Sequence, residues 1–309
     1  DHRDLHSFPT RRSSDLALIP LRGLERLDLR NTAIADADAA VLGLMHSLQE
    51  LRLWGTRLGP RGIGKLGGLS RLTRLQLPAR SVDDRTLRAL EGLGRVTTLH
   101  LADCPVTDIG ARSLACMGGL EVLYLSGTAI TDGAAAALGS LARLRLLDCS
   151  RTQAGNGMAH AFADHPAIRH LDFSHTPIED AGLADLARCR GLTNLFLTGT
   201  RVTGAGLAGF APVRMLDLSA TRIDDGALAS IGGLANLERL GLAETAVTDK
   251  GIARLASLSR LERLRVTGTA VSPQGLEALS GLPWLQPTWT PPGAVRVIET
   301  GATGAAAPA

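Results

Sequence analysis

His170, Asp172 and Ser174 occupy alternate positions of one short segment, and they are the residue types of a base, an orienting acid and a nucleophile. On a strand, alternate residues share a face, but successive members lie about 6–7 Å apart. A triad needs hydrogen-bond contact, so this spacing does not make one. His160, His165, His170 and His175 recur every five residues. That step follows no single helix face, and the run crosses from a helical to a strand pattern, so no shared metal centre is expected. Asp148 and Asp172 are 24 residues apart at equivalent places, hence on adjacent strands, where they could hold a cation. Cys104, Cys116, Cys149 and Cys189 lack the close, ordered spacing of a metal site or disulfide framework. Cys104 and Cys149 read as small buried residues of a reducing compartment. The Gly118-Gly119 and Gly232-Gly233 pairs fall at the ends of predicted helices and are expected as C-caps, not as a phosphate cradle. No catalytic residue, metal or cofactor is expected.

What positions all of these residues is a unit of 24 residues. Its first apolar position falls at Leu24, Leu48, Leu72, Val96, Leu120, Leu144, Ile168 and Leu192. A step of 21 leads to Val213, and the period of 24 resumes at Leu237 and Leu261, giving eleven units. A fixed period of this size predicts a solenoid. Each unit opens with Leu-x-x-Leu-x-Leu text, whose period of two predicts a strand with one buried face. The second half, as in Asp108 to Met117, has apolar residues at three- and four-residue steps and predicts a short amphipathic helix. Asp36, Asp84, Asp108, Asp132, Asp180, Asp225 and Asp249 open these segments and are expected as N-caps rather than catalytic carboxylates. The fold class is therefore α/β, a parallel sheet with short helices on its other side. Helices are wider than strands, so a horseshoe with a concave strand face is expected.

This pattern resembles the leucine-rich repeat family over about residues 18 to 290. The usual turn Asn of that family is replaced by Thr at Thr32, Thr56, Thr128, Thr152, Thr176, Thr200, Thr221, Thr245 and Thr269, with Arg80 and Cys104 breaking the series. A Thr hydroxyl can still bond a turn backbone group. The Thr-Asp-x-Gly-Leu/Ala second half resembles the repeats of bacterial GALA-type effectors and is similar to the cysteine-containing repeats of F-box proteins. The resemblance implies a protein-interaction module, either the substrate-recognition part of a ubiquitin-ligase adaptor or an effector secreted into a host cell. The alternative is the specificity arm of an enzyme whose catalytic domain lay upstream. Lysine is confined to Lys65 and Lys250, which fits either a GC-rich coding sequence or selection against ubiquitin acceptors.

Residues 1–16 look like the translation of a sequencing adapter and are set aside as artefactual. The first Met is Met45, so a longer protein is expected, cytoplasmic or secreted, with its true N-terminus missing. Residues 17–292 form the expected solenoid, with Trp284 to Pro292 as a C-terminal cap, and residues 293–309 read as a disordered tail. The unit at Leu144 is irregular at Cys149, Ala154, Asn156 and Phe162, and the short unit at Leu192 contains Pro212. A net charge of +3 is too small to imply nucleic acid, and no apolar run reaches the length of a membrane span.

A protein partner is expected on the variable strand positions. Between the two buried leucines these are Asp28, Arg52, Gln76, His100, Tyr124, Asp148, Asp172, Phe196, Asp217, Gly241 and Arg265. Two residues upstream lie His170, Arg239 and Arg263, and two downstream lies Trp54. The row reads basic, then aromatic and acidic, then basic again. Aromatics are 3% of the chain and Tyr124 is its sole tyrosine, so Trp54, Tyr124 and Phe196 are expected interface anchors.

Overall fold

The computed structural model describes residues 23–78, 80–283, 285 and 298–299. The expected adapter segment lies outside them, as do the cap apart from Leu285 and the tail apart from residues 298–299. Contacts divide the chain into two units, Asp1–Leu171 and Asp172–Ala309.

In the first unit, strands β1 (Arg26–Asp28), β2 (Glu50–Arg52), β3 (Arg74–Gln76), β4 (Thr98–His100), β5 (Val122–Tyr124) and β6 (Leu146–Asp148) follow one another in the sheet. All are parallel and pair with a shift of one repeat, so Leu27, Leu51, Leu75, Leu99, Leu123 and Leu147 form one row. β7 (His170–Asp172) falls at the division between the units. The second unit pairs β8 (Asn194–Phe196), β9 (Met215–Asp217), β10 (Arg239–Gly241) and β11 (Arg263–Arg265) in the same parallel register. β12 (Ile298–Glu299) adds antiparallel to β11.

The leucine rows are the core. Leu123 and Leu125 from a strand half and Leu138 from a helical half are all 0% exposed. Each such side chain contributes roughly 1.5–3 kcal/mol by leaving water, which is what allows strands of three residues to persist. Phe162, Phe173 and Phe210 are fully buried with the leucines, and Cys104, Cys149 and Cys189 are buried as well. In the short repeat the helix shrinks to a single 3-10 turn, Leu207–Gly209, entered through Gly204 and Gly206 at φ 98° and 96°.

The turn after each strand is closed by the threonine series. Thr56, Thr128, Thr200 and Thr245 each donate their hydroxyl to the carbonyl three residues back, at 2.6–2.7 Å. Where Arg80 breaks the series, Ser81 donates to Pro78 instead, at 2.6 Å. The residue before the threonine is left-handed, whether it is Gly127, Gly199, Arg151 or Ala220.

The helix entries correct the sequence expectation. The N-caps include Thr107, Thr131 and Thr248, each one residue before the expected Asp, and Ser272, which precedes Pro273. The Asp carboxylate instead reaches forward into the next repeat. Asp84 accepts the Thr107 N–H at 2.8 Å and the Thr107 hydroxyl at 2.6 Å. Asp108 does the same for Thr131, Asp225 for Thr248 and Asp249 for Ser272. Asp132 takes three N–H groups, from Gly155, Gly157 and Met158. The acid serves its neighbour's helix because that neighbour begins where the carboxylate emerges.

This explains the glycine of the Thr-Asp-x-Gly text. A Cβ on Gly62, Gly110, Gly251 or Gly275 would run into the carboxylate of Asp36, Asp84, Asp225 or Asp249 respectively. Pro60, Asn156, Gly204 and Pro273 stand where the other repeats have the acid. In the repeats after Pro60 and Gly204, an aspartate of the same repeat opens the helix entry instead. Asp83 accepts the Thr86 N–H at 2.8 Å, and Asp224 accepts the Gly226 N–H at 2.9 Å. The glycine position then carries a side chain, Thr86 or Ala227. The paired glycines were expected as C-caps. Gly232 is a C-cap with φ −58°, and a Cβ on Gly119 would stand 2.6 Å from the Gly94 carbonyl oxygen. Close approach of successive turns is what excludes a side chain at Gly119.

Candidate binding surface

The alternation of buried and variable residues puts the candidate side chains on one face of each unit's sheet. In the first unit the face begins with charges that cancel locally. Arg30 donates through Nε to both Asp28 oxygens at 3.0 Å, which lowers the Asp28 pKa below its ordinary value against the opposing effect of burial. Arg52 donates to Glu50 at 2.7 Å and lies 3.8 Å from Asp28. The expected basic end is thus a mixed-charge patch, and exposed pairs of this kind are worth about 0–1 kcal/mol each. Beside it Trp54 is 50% exposed.

Gln76, His100, Tyr124 and Asp148 follow on successive strands. The His100 and Tyr124 rings stack at 4.4 Å between centroids with planes 12° apart. His100 keeps an exposed side, yet loss of water around the ring pushes its pKa below the ordinary value. Just beyond the strands, the Ser126 and Ser150 hydroxyls are 2.8 Å apart, and Arg151 reaches Ser126 and Asp103 at 3.1 and 3.2 Å. Asp148 accepts the N–H of Ser150 at 2.9 Å, so part of its bonding capacity closes its own turn. His170, half-buried, is the last of the expected residues in this unit.

In the second unit Asp172 and Asp217 repeat that turn bond, accepting from Ser174 at 2.8 Å and Ser219 at 2.9 Å. Phe196, half-buried, is in register with Asp217, then Gly241, then Arg265. Gly241 is the one strand centre without a side chain, and a Cβ there would collide with the Asp217 carboxylate. Around Gly241 is an open hollow of about 150 Å³ walled by Phe196, Met215, Asp217, Arg239, Arg263 and Arg265. The sequence reading named these side chains but missed the hollow. Its signal was Gly241, alone among bulky neighbours in the strand-centre row.

Of the histidine run, His165 is a packing residue, whereas His160 and His175 are exposed. His165 is buried, its Nε2 donating to the Leu141 carbonyl at 3.1 Å and its Nδ1 accepting the Ile168 N–H at 3.1 Å, with its ring against Phe162. Burial pushes its pKa down, opposed by the Leu141 bond. Among the described residues no group of three His, Cys, Asp or Glu side chains could hold a metal ion, and no helix is long and apolar enough to cross a membrane.

The family model for "Leucine Rich repeat" matches residues 96–115 and 166–187. With the parallel strands and helical second halves of both units, the chain is a leucine-rich-repeat protein with the solenoid fold of that class. An internalin from Listeria monocytogenes is similar over 86% of this chain and 87% of its own, with TM-score 0.62 and 17% identity. A leucine-rich-repeat protein of Leptospira interrogans is similar over 84% and 71%, with TM-score 0.63 and 17% identity. The plant peptide hormone receptor RGFR1, in complex with RGF2, is similar over 84% of this chain and 47% of its own, with TM-score 0.55 and 15% identity. At these identities the likeness is one of fold. No curated protein sequence matches the chain.

Proposed function

We propose that this protein binds a protein partner through the variable strand residues of its repeats, and that recognition rather than catalysis is its role. Repeat solenoids generally serve as extended binding surfaces. The observation that carries the reading is the placement of the aromatics. Trp54, Tyr124 and Phe196 keep exposed surface on or just beyond the strands in a chain with one tyrosine. Aromatic side chains on an exposed face are the usual anchors of an interface. His170, Asp148, Asp172 and Asp217 contribute the polar rim, with Arg52 and Gln76 in the first unit.

A finer version makes the repeats the substrate-recognition part of a ubiquitin-ligase adaptor or a bacterial effector. It is supported by the Thr-Asp-x-Gly text shared with those repeats and by the confinement of lysine to two positions. The second reading, a specificity arm of an enzyme, is separated from it by the text of the gene upstream of Ala17. The surface itself is tested by affinity capture with wild type and Tyr124→Ala/Phe196→Ala, with circular dichroism to show that the variant is folded. Loss of captured partners is the expected result, and a folded variant that loses none refutes the reading.

A further inference from the structure

We infer that the hollow over Gly241 is a subsite for the carboxylate of an acidic side chain on the partner, a deepening that rests on the protein-binding reading above. Three features converge. The hollow, at about 150 Å³, is smaller than the 300–1,000 Å³ typical of small-molecule sites, and suits one side chain of a larger partner. Its wall carries Arg239, Arg263 and Arg265 against one acid, Asp217. Among the described residues no ion pair joins Arg239 or Arg263 to an acid, in contrast to Arg30 and Arg52 of the first unit, which are paired with Asp28 and Glu50.

The single acid is already committed. The Asp217 carboxylate occupies the place of a Gly241 side chain and accepts the Ser219 N–H, while Arg265 donates to the Ser219 hydroxyl at 3.2 Å. These bonds hold the floor and one guanidinium in place and leave two guanidinium groups to meet an incoming anion. Guanidinium groups match a carboxylate with paired N–H donors. Phe196 on the opposite wall suits an apolar residue next to that acid. The occupant is therefore an extended segment with Glu or Asp beside an apolar residue. A polyanion such as nucleic acid is disfavoured by Asp217 in the floor and by a net charge of only +3.

The test is fluorescence anisotropy with a labelled Ser-Gly-Leu-Glu-Leu-Glu-Gly-Ser peptide, its Gln counterpart and a short single-stranded oligonucleotide. Wild type is expected to bind the Glu peptide about tenfold more tightly than the Gln peptide, with the difference shrinking at high salt. Arg239→Gln/Arg263→Gln, checked for folding by circular dichroism, is expected to bind both peptides alike. Equal binding by wild type, no saturable binding, discrimination that survives in the double variant, or tighter binding of the oligonucleotide each overturns the subsite. Such a failure, with partner capture still lost in Tyr124→Ala/Phe196→Ala, would leave the protein-binding reading intact. Retained capture in that variant would remove the general reading whatever the peptide does.

Discussion

The Asp84 carboxylate occupies the space that a Cβ on Gly110 would take, while the same carboxylate binds the N–H and hydroxyl of Thr107. Two residues of one helix entry are thus specified by one acid of the preceding repeat. Gly110→Ala is expected to cost about 1–3 kcal/mol, as overpacking does. Asp84→Ala is expected to cost about 1–2 kcal/mol through the lost cap. In the Asp84→Ala background the glycine substitution should cost less, because the nearest obstacle, the carboxylate, is gone and the residue 84 Cα remains at 3.0 Å. Urea unfolding of the four proteins measures this coupling, and simple additivity would contradict it.

The left-handed turn residue gives a pair of changes with opposite signs. Ala220 holds φ 53° with a Cβ, which costs about 1–2 kcal/mol relative to glycine. Ala220→Gly should therefore raise stability by about 1 kcal/mol. Gly199, at φ 69°, faces the His175 ring where a Cβ would stand, so Gly199→Ala should lower stability by more than the first change raises it. Denaturant midpoints of the two variants decide the matter.

His100 titrates below its ordinary value because its ring is partly desolvated, and the stacked Tyr124 ring covers one face. Removing that cover with Tyr124→Ala should move the His100 pKa back up toward 6.5, as followed by its imidazole proton resonance. In the linkage sense the neutral ring is favoured by folding. Its contribution is complete above pH 6.5 and is lost as pH falls through the folded-state value. An unchanged titration in Tyr124→Ala would assign the shift to other neighbours.

Two helix-entry acids give a pH dependence at the acid end. Burial raises the Asp225 pKa, but the Thr248 hydroxyl and N–H outweigh it, and the net direction is down. Bonds from the Thr86 hydroxyl and N–H likewise lower Asp83. Each carboxylate therefore contributes stability above the ordinary Asp value of 3.8, and that contribution is lost as pH falls below it. Thermal unfolding should become easier in that range, with a shallower pH slope in Asp225→Asn. An equal slope in the variant would place the acid sensitivity elsewhere.

Strand register was legible to the residue, because a period of two inside a period of 24 leaves one alignment that buries the central leucine of every repeat strand. Within each unit the variable strand residues appear where the alternation put them. The threonine turns were legible for a similar reason, since a hydroxyl has one carbonyl within reach. What the sequence hid were bonds between repeats. Asp84 reads as a cap when only its own segment is considered, and its true recipient, Thr107, is 23 residues away. Arg52 reads as surface charge until Glu50 is placed beside it on the same face. The hollow over Gly241 depends on side chains from four strands and on one missing Cβ, so no single repeat announces it.

The forward-reaching aspartates also bear on how such a chain grows and shrinks. A repeat excised or duplicated by recombination must find an acid behind it and a glycine-bearing entry ahead of it. Whole units copied from the regular run satisfy both conditions automatically, so duplication there is silent. Pro60 with Asp83, and Gly204 with Asp224, are different joints. Each downstream repeat supplies its own acid at the helix entry, so that entry takes no carboxylate from the unit before it. Those two seams are where an unrelated repeat could be spliced in without orphaning a helix entry.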